Sequence, residues 1–224
     1  MMELSVEDIT FKPWEWSYCL SSMAHKYPHR IRDFAEANTE RQWRHKFHLL
    51  NNLMPHLDEG MTIWLLGSWY GHIIPPYLYK RFKDINVIYI DFDHEAMQLS
   101  WTFDNHAKKR YELDINFDLL HGKSKWLEEQ DPPDVVINTA CEHMWHMREL
   151  IFRVSMPLLA FQTNNFRKEE AHVNCCDTMD EFKEQTGITD VVFESTEKYA
   201  MEQFDWAKRN DEKYVTHTLI GYHE

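Results

Sequence analysis

Four short apolar runs constrain this chain more than any other feature in it. They are Thr62-Ile63-Trp64-Leu65-Leu66, Asn86-Val87-Ile88-Tyr89-Ile90, Asp134-Val135-Val136-Ile137 and Pro157-Leu158-Leu159-Ala160-Phe161. Each is apolar at successive positions, not alternate ones, and each runs into a glycine or a polar residue. A strand apolar on both faces is buried on both, as in a parallel sheet covered by helices. Helical patterns over residues 75–83, 94–109 and 143–154 lie between the runs, and such alternation builds right-handed βαβ units. A weaker strand is predicted over 115–120, and two more over 189–194 and 214–222. Little helix separates the last two, so they predict a hairpin whose final strand is antiparallel to the rest. Between them and the fourth run, a helix begins at Asp177-Thr178 and stops at Gly187.

The segment ahead of the first run has a different period. Trp43, Phe47, Leu50 and Leu53 fall at i, i+4, i+7 and i+10, one amphipathic helix face. Asn38-Thr39 offers an N-cap, and Pro55 with Gly60 ends the helix. Residues 1–60 therefore read as an N-terminal helical cap and 61–224 as the α/β domain. A chain of 224 residues that is 43% hydrophobic has enough apolar surface for one sizeable core with a small extension. Disorder and collagen-like repeats are excluded.

Charge narrows the partners. Against 37 acidic residues stand 24 lysines and arginines, a formal charge of −13, and a surface that acidic repels phosphate backbones. Long nucleic acid is therefore not an expected partner. Arg30, Arg32, Arg41, Arg44 and Lys46 cluster locally and read as a solvated helix face that balances nearby acids. No apolar run approaches the roughly 20 residues a membrane span requires, and the start of the chain lacks the pattern of a signal peptide. Cys19, Cys141, Cys175 and Cys176 do not make a disulfide framework. Reduced thiols and a cytoplasmic location are expected.

In an open parallel sheet, ligands bind beyond the carboxyl ends of the strands. The candidate segments are thus Gly67-Ser68-Trp69-Tyr70-Gly71-His72, Asp91-Phe92-Asp93, His121-Gly122-Lys123, Asn138-Thr139-Ala140-Cys141-Glu142-His143 and Gln162-Thr163-Asn164-Asn165. Glycine is scarce, six residues where average usage gives about 16, yet Gly67 and Gly71 lie close together in the first of these segments. Such glycines let backbone approach a ligand or adopt unusual dihedrals. Asp91 ends a strand roughly 20 residues later, where a carboxylate can accept both ribose hydroxyls of an adenosine ligand. Asp93 reads instead as the N-cap of the helix that begins at His94. Pro75-Pro76 suits the first turn of the preceding helix.

On these residues the chain resembles the class I S-adenosylmethionine-dependent methyltransferases, over roughly residues 60–222. The resemblance rests on the loop Ile63-Trp64-Leu65-Leu66-Gly67-Ser68-Trp69-Tyr70-Gly71, on the strand end Tyr89-Ile90-Asp91-Phe92-Asp93 and on the terminal strand pair. It implies a Rossmann-like three-layer sandwich with a mostly parallel seven-stranded sheet, an antiparallel last strand and added N-terminal helices. S-adenosylmethionine is the implied cofactor. Gly67, Ser68, Trp69 and Gly71 would line it, Asp91 hold its ribose, Phe92 pack on the adenine, His121 and Gly122 lie near the adenine edge, and Asn138 also contact it. The family's usual Asp/Glu-x-Gly-x-Gly-x-Gly loop is incomplete, with Leu65 at the acid position. Gly-x-Gly-x-x-Gly, the dinucleotide fingerprint, is absent.

The segment from Asn138 to His146 is the most polar strand exit, and many family members keep catalytic groups there. His143, and after it Glu142, are the candidates for taking a proton from the acceptor. Trp145 and Asn164 are candidate substrate contacts. Cys141, Glu142, His143 and His146, with His172 and Cys175 farther on, also carry metal-ligating atoms. No recognised zinc spacing such as Cys-x-x-Cys occurs, and no metal is assigned. The expected activity is methyl transfer to a small-molecule or peptide-like acceptor. Two alternatives are aminocarboxypropyl transfer or cofactor cleavage, which the altered loop would favour, and a non-catalytic binding protein of the same fold.

Overall fold

The computed structural model describes residues 13–104, 108–121, 129–151, 156–199 and 214–223. Its strands are β1 (Thr62–Leu66), β2 (Asn86–Asp91), β3 (Lys109–Glu112), β4 (Val135–Asn138), β5 (Leu158–Asn164), β6 (Asp190–Tyr199) and β7 (Tyr214–Tyr222). They form a seven-stranded sheet in the order β3-β2-β1-β4-β5-β7-β6, and β7 is the strand that runs antiparallel. The helices are α1 (Pro13–Lys26), α2 (Ile31–Ala37), α3 (Glu40–Leu53), α4 (Ile74–Arg81), α5 (His94–Phe103), α6 (Met147–Ile151) and α7 (Met179–Thr186). This is the Rossmann-like α/β arrangement that the apolar runs imply. The chain divides into two compact units, Met1–Asp114 and Ile115–Glu224.

In the first unit β1 pairs in parallel with β2, Thr62 opposite Asn86, and β2 with β3, Ile88 opposite Lys109. Ile63 to Leu66 and Val87 to Asp91 are buried, as strands apolar on both faces must be. Helix α3 buries Phe47, Leu50 and Leu53 from its predicted face, and His45 and Leu49 beside them. Thr39 holds the N-cap position without capping; its hydroxyl donates back to the Glu36 carbonyl oxygen (3.1 Å). Pro75 and Pro76 sit in the first turn of α4. Asp93 caps α5, its Oδ1 accepting the Ala96 N–H (3.0 Å). Cys19, Met23, Phe34 and Ala37 from α1 and α2 share one buried cluster with Tyr70 and with Ala96, Leu99 and Phe103 of α5.

Two expectations fail in this region. Helix α5 ends at Phe103, well short of residue 109. The chain leaves the helix there because Asp104 turns inward to accept the buried Tyr89 hydroxyl (2.6 Å) and pair with Arg110. The strand expected over 115–120 is the wide π-helical turn Ile115–Leu119, and the strand is Lys109–Glu112 instead. Ile115 and Leu119 are the buried residues of that turn, at helical spacing. Strand β3 lies at the sheet edge, and an edge strand carries polar residues that mask it as a strand in the sequence.

In the second unit β4 and β5 run parallel from Val135 opposite Leu158, and β5 and β6 both pair antiparallel with β7. The predicted hairpin is therefore present. Strand β5 continues beyond Phe161, so Gln162, Thr163 and Asn164 are strand residues and not an exit loop. Their polar side chains hide this in the sequence; each is opposite a polar partner on β7, and Gln162 Nε2 donates to Thr218 Oγ1 (2.9 Å). The helix expected over 143–154 is a single turn at Cys141–His143 followed by α6, and residues 152–155 lie outside the described residues. Helix α7 opens on a capping box, Thr178 with Glu181, and stops at Gly187, whose φ is +71°. Gly221 lies beside a register shift in β6, where an added Cβ would meet the Asp190 carbonyl oxygen at 2.3 Å.

All four cysteines are buried free thiols. Among the described residues no helix is long and apolar enough to cross a membrane.

Candidate active site

The exits of β1 and β2 are fastened to each other through one carboxylate. Asp91, only 5% exposed, accepts the Trp69 N–H on Oδ2 (2.6 Å) and the Asp93 N–H on Oδ1 (2.9 Å). Burial pushes this carboxyl up, and the backbone donors of Asp93, Trp69 and Phe92 oppose the shift. A carboxylate oxygen accepts more than one hydrogen bond, so Asp91 keeps capacity for a further donor. Phe92, next to it, is 70% exposed. Gly67 (φ +60°), Trp69 (φ +49°) and Gly71 (φ +57°) all take left-handed backbone in the loop. The space above Gly71 is filled by the Tyr89 ring, since an added Cβ would stand 1.9 Å from Tyr89 Cε1. This glycine is thus required by packing. Ser68 is buried, with its hydroxyl on Met97 Sδ (3.3 Å) and its N–H on the Ile90 carbonyl (3.3 Å).

The N-terminal helices reach the same loop. Asp33 Oδ2 accepts the Tyr70 hydroxyl (2.6 Å) and the Trp69 indole N–H (3.2 Å). Arg30 pairs with Asp33 (3.1 Å), Glu95 (2.8 Å) and Asp93. Desolvation pulls the Arg30 guanidinium down, and its hydrogen bonds to Asp93 and Glu95 more than offset this, so the net shift is upward. Burial first and the bond to Asp33 second push the Tyr70 hydroxyl up. Arg30 is therefore not part of a solvated face: its side chain is 19% exposed, against 91% for Arg32 and 64% for Arg44. The sequence carries no signal for Asp33, which meets its partners across more than 30 residues of chain.

In the second unit Asn138, at the end of β4, is fully buried and engaged within its own turn. Its Oδ1 accepts the Ala140 N–H (2.8 Å) and its Nδ2 points to Met144 Sδ (3.0 Å) and Met147 Sδ (3.2 Å). Glu142 is buried, and its Oε1 accepts the Asn164 amide (2.6 Å), while Asn164 Oδ1 accepts the Phe166 N–H (2.9 Å). His143 is exposed and meets the His172 ring edge-on, with centroids 4.4 Å apart. Desolvation and then the facing His172 push the His143 imidazole down to about 4, which leaves it neutral at pH 7. Burial pushes the Cys175 thiol up to about 11, and it donates to the Phe166 carbonyl (3.4 Å).

The remaining candidates are more scattered. Trp145 is 62% exposed, and its backbone N–H donates to Asn116 Oδ1 (3.0 Å). His121 is exposed and stacks on Phe117 (4.8 Å). With β3 ending at Glu112, His121 follows a helical turn and is not at a strand exit. Gly122 lies outside the described residues. The structure thus gathers Gly67, Ser68, Trp69, Gly71, Asp91 and Phe92 in one unit, and Glu142, His143 and Asn164 in the other.

No family model matches this chain, and no curated protein is similar to it in sequence. Its fold does have solved counterparts. The plantazolicin methyltransferase BpumL, in complex with S-adenosylhomocysteine, aligns with TM-score 0.55 at 13% identity over 97% of this chain and 98% of its own. A TehB-like S-adenosylmethionine-dependent methyltransferase from Corynebacterium glutamicum gives 0.53 at 13% identity, over 89% and 98%. The N-methyltransferase NodS from Bradyrhizobium japonicum gives 0.53 at 12%, over 84% and 99%. The chain shares the fold of the class I S-adenosylmethionine-dependent methyltransferases.

Proposed function

We propose that this protein is a cytoplasmic S-adenosylmethionine-dependent methyltransferase acting on a small-molecule or peptide-like acceptor. The observation that carries the reading is the buried Asp91 carboxylate at the end of β2, tied to the β1 loop backbone and flanked by the exposed Phe92 ring. A carboxylate with spare acceptor capacity suits ribose hydroxyls, and an uncovered aromatic face suits adenine. Gly67 and the backbone of Ser68 and Trp69 would border the methionine end. Leu65, buried at 2% where relatives of this fold place an acid, supplies no anchor for the cofactor's amino group. Helix α2 supports the loop through Asp33.

When bound, the cofactor supplies an electrophilic methyl group. Gly67, Asp91 and Phe92 would hold it with that methyl carbon offered to the acceptor's lone pair, its sulfur leaving as a neutral thioether. Most of the rate enhancement in such a transfer is alignment. An acceptor that starts protonated must also lose its proton, and we assign that activation to Glu142 and His143. Trp145 and Asn164 complete the acceptor side, Asn164 by holding Glu142.

Incubation with S-adenosylmethionine and a panel of hydroxyl, amine and thiol acceptors, including short peptides, followed by mass spectrometry, tests the reaction. S-adenosylhomocysteine with a methylated acceptor is the expected product pair. Methylthioadenosine in its place would overturn methyl transfer in favour of aminocarboxypropyl transfer or cofactor cleavage.

A further inference from the structure

Glu142 and His143 leave β4 side by side, and His172 returns to them from the connection after β5. One ligand atom from each of these three residues lies within 4.8 Å of the others. Two further details of the cluster bear on ion binding. His172 Nδ1 stands 2.5 Å from the Phe166 carbonyl oxygen, an atom that only accepts, so Nδ1 carries the proton and Nε2 presents the lone pair. That outer hydrogen bond is the one that sets the tautomer and orientation of a ligating histidine. The Glu142 carboxylate is buried and oriented by the Asn164 amide (2.6 Å), as ligating carboxylates are. The His143 ring faces His172 edge-on, at 88° with centroids 4.4 Å apart.

We propose that Glu142, His143 and His172 bind a divalent first-row transition-metal ion such as Zn²⁺. Paired imidazoles select such ions over Mg²⁺ and Ca²⁺, which take oxygen ligands. Metal–ligand bonds of about 2.0–2.2 Å require the three donors to close in on the ion, and the exposed His143 is the one with freedom to do so. Three protein ligands leave coordination positions open. An acceptor oxygen, nitrogen or sulfur bound in an open position would lose its proton more readily. Glu142 and His143 would then activate the acceptor as ligands, not as direct proton acceptors. That catalytic role rests on the functional reading above; ion binding itself does not.

The test uses the full-length protein after chelator treatment, titrated with Zn²⁺ against a chromophoric chelator and with Co²⁺ followed by its d–d absorption. One equivalent should bind the wild type, and His172→Gln and His143→Asn should each weaken binding at least tenfold. His25→Gln, which removes an exposed imidazole of α1, should bind as the wild type does. Circular dichroism checks folding, and if His172→Gln fails to fold, the exposed His143→Asn carries the comparison. Absence of saturable one-equivalent binding by the wild type overturns the proposal, as does undiminished binding by a folded ligand variant. S-adenosylhomocysteine binding measured on the same samples separates this failure from failure of the functional reading.

Discussion

Acidification from pH 7.5 to pH 5 should weaken the fold by about 4 kcal/mol through His45 and His72 alone, about 2 kcal/mol from each. Both are buried in the first unit, and both are pushed down to about 3, desolvation being the largest cause. For His45 the nearby Arg41 and Lys46 add to the shift. His72 is enclosed by Phe34, Trp43, Tyr70 and Phe103, with ring centroids at 5.4, 6.0, 6.2 and 5.7 Å. Because the folded pKa lies below the unfolded value of 6.5, the unfolded chain binds protons that the folded chain refuses. The stabilisation is fully present above pH 6.5 and is lost as pH falls from there toward 3. Each unit within that window is worth about 1.4 kcal/mol per histidine. Urea unfolding at the two pH values checks the total. His72→Phe should lower the dependence by about 2 kcal/mol whatever it does to stability at neutral pH; an unchanged dependence would refute the assignment.

Gly71→Ala should be among the most damaging single-methyl additions available to this chain. The residue sits at φ +57°, and its new Cβ would stand 1.9 Å from Tyr89 Cε1. Tyr89 has little freedom to yield. Its ring is fully buried, its hydroxyl donates to Asp104 (2.6 Å), and the Arg110 guanidinium lies 4.7 Å from its centroid. Arg110 is itself fixed over Trp101 (3.9 Å) and by the Ser100 hydroxyl (2.9 Å). A left-handed alanine costs about 1–2 kcal/mol, and overpacking adds about 1–3 kcal/mol. For a chain of this size the sum lowers the unfolding midpoint by roughly 10 °C. Gly60→Ala is the matched comparison, since Gly60 has φ +87° and nothing within 4 Å of the added atom. It should show the backbone penalty alone. Equal losses in the two variants would mean that Tyr89 does not hold the loop.

The interior of the sheet was legible in the sequence because burial on both faces leaves an unbroken apolar run, as in β1, β2 and β4. Helix ends were legible where capping chemistry is local, at Asp93 and at Gly187. What escaped detection depends on tertiary placement. Strand β3 is polar because it is an edge, and the end of β5 is polar because β7 supplies partners for its buried groups. The paired strand exits were visible as Gly67, Gly71 and Asp91, but not the role of Asp91 as the clamp on Trp69 or of Tyr89 as the occupant above Gly71. Nor was Asp33, whose contacts with Trp69 and Tyr70 exist only once the N-terminal helices have docked. His143 and His172 were both recognisable as potential ligands, and only the return of the chain after β5 brings their rings together.

The central claim is that the joined exits of β1 and β2 hold the adenosine part of S-adenosylmethionine, and calorimetric titration with S-adenosylhomocysteine tests it most directly. The wild type should bind one equivalent. Phe92→Ala, at a residue 70% exposed, should leave the unfolding midpoint unchanged and weaken binding about tenfold, the loss expected for one base–aromatic contact. No binding by the wild type, or equal binding by Phe92→Ala, would contradict the account.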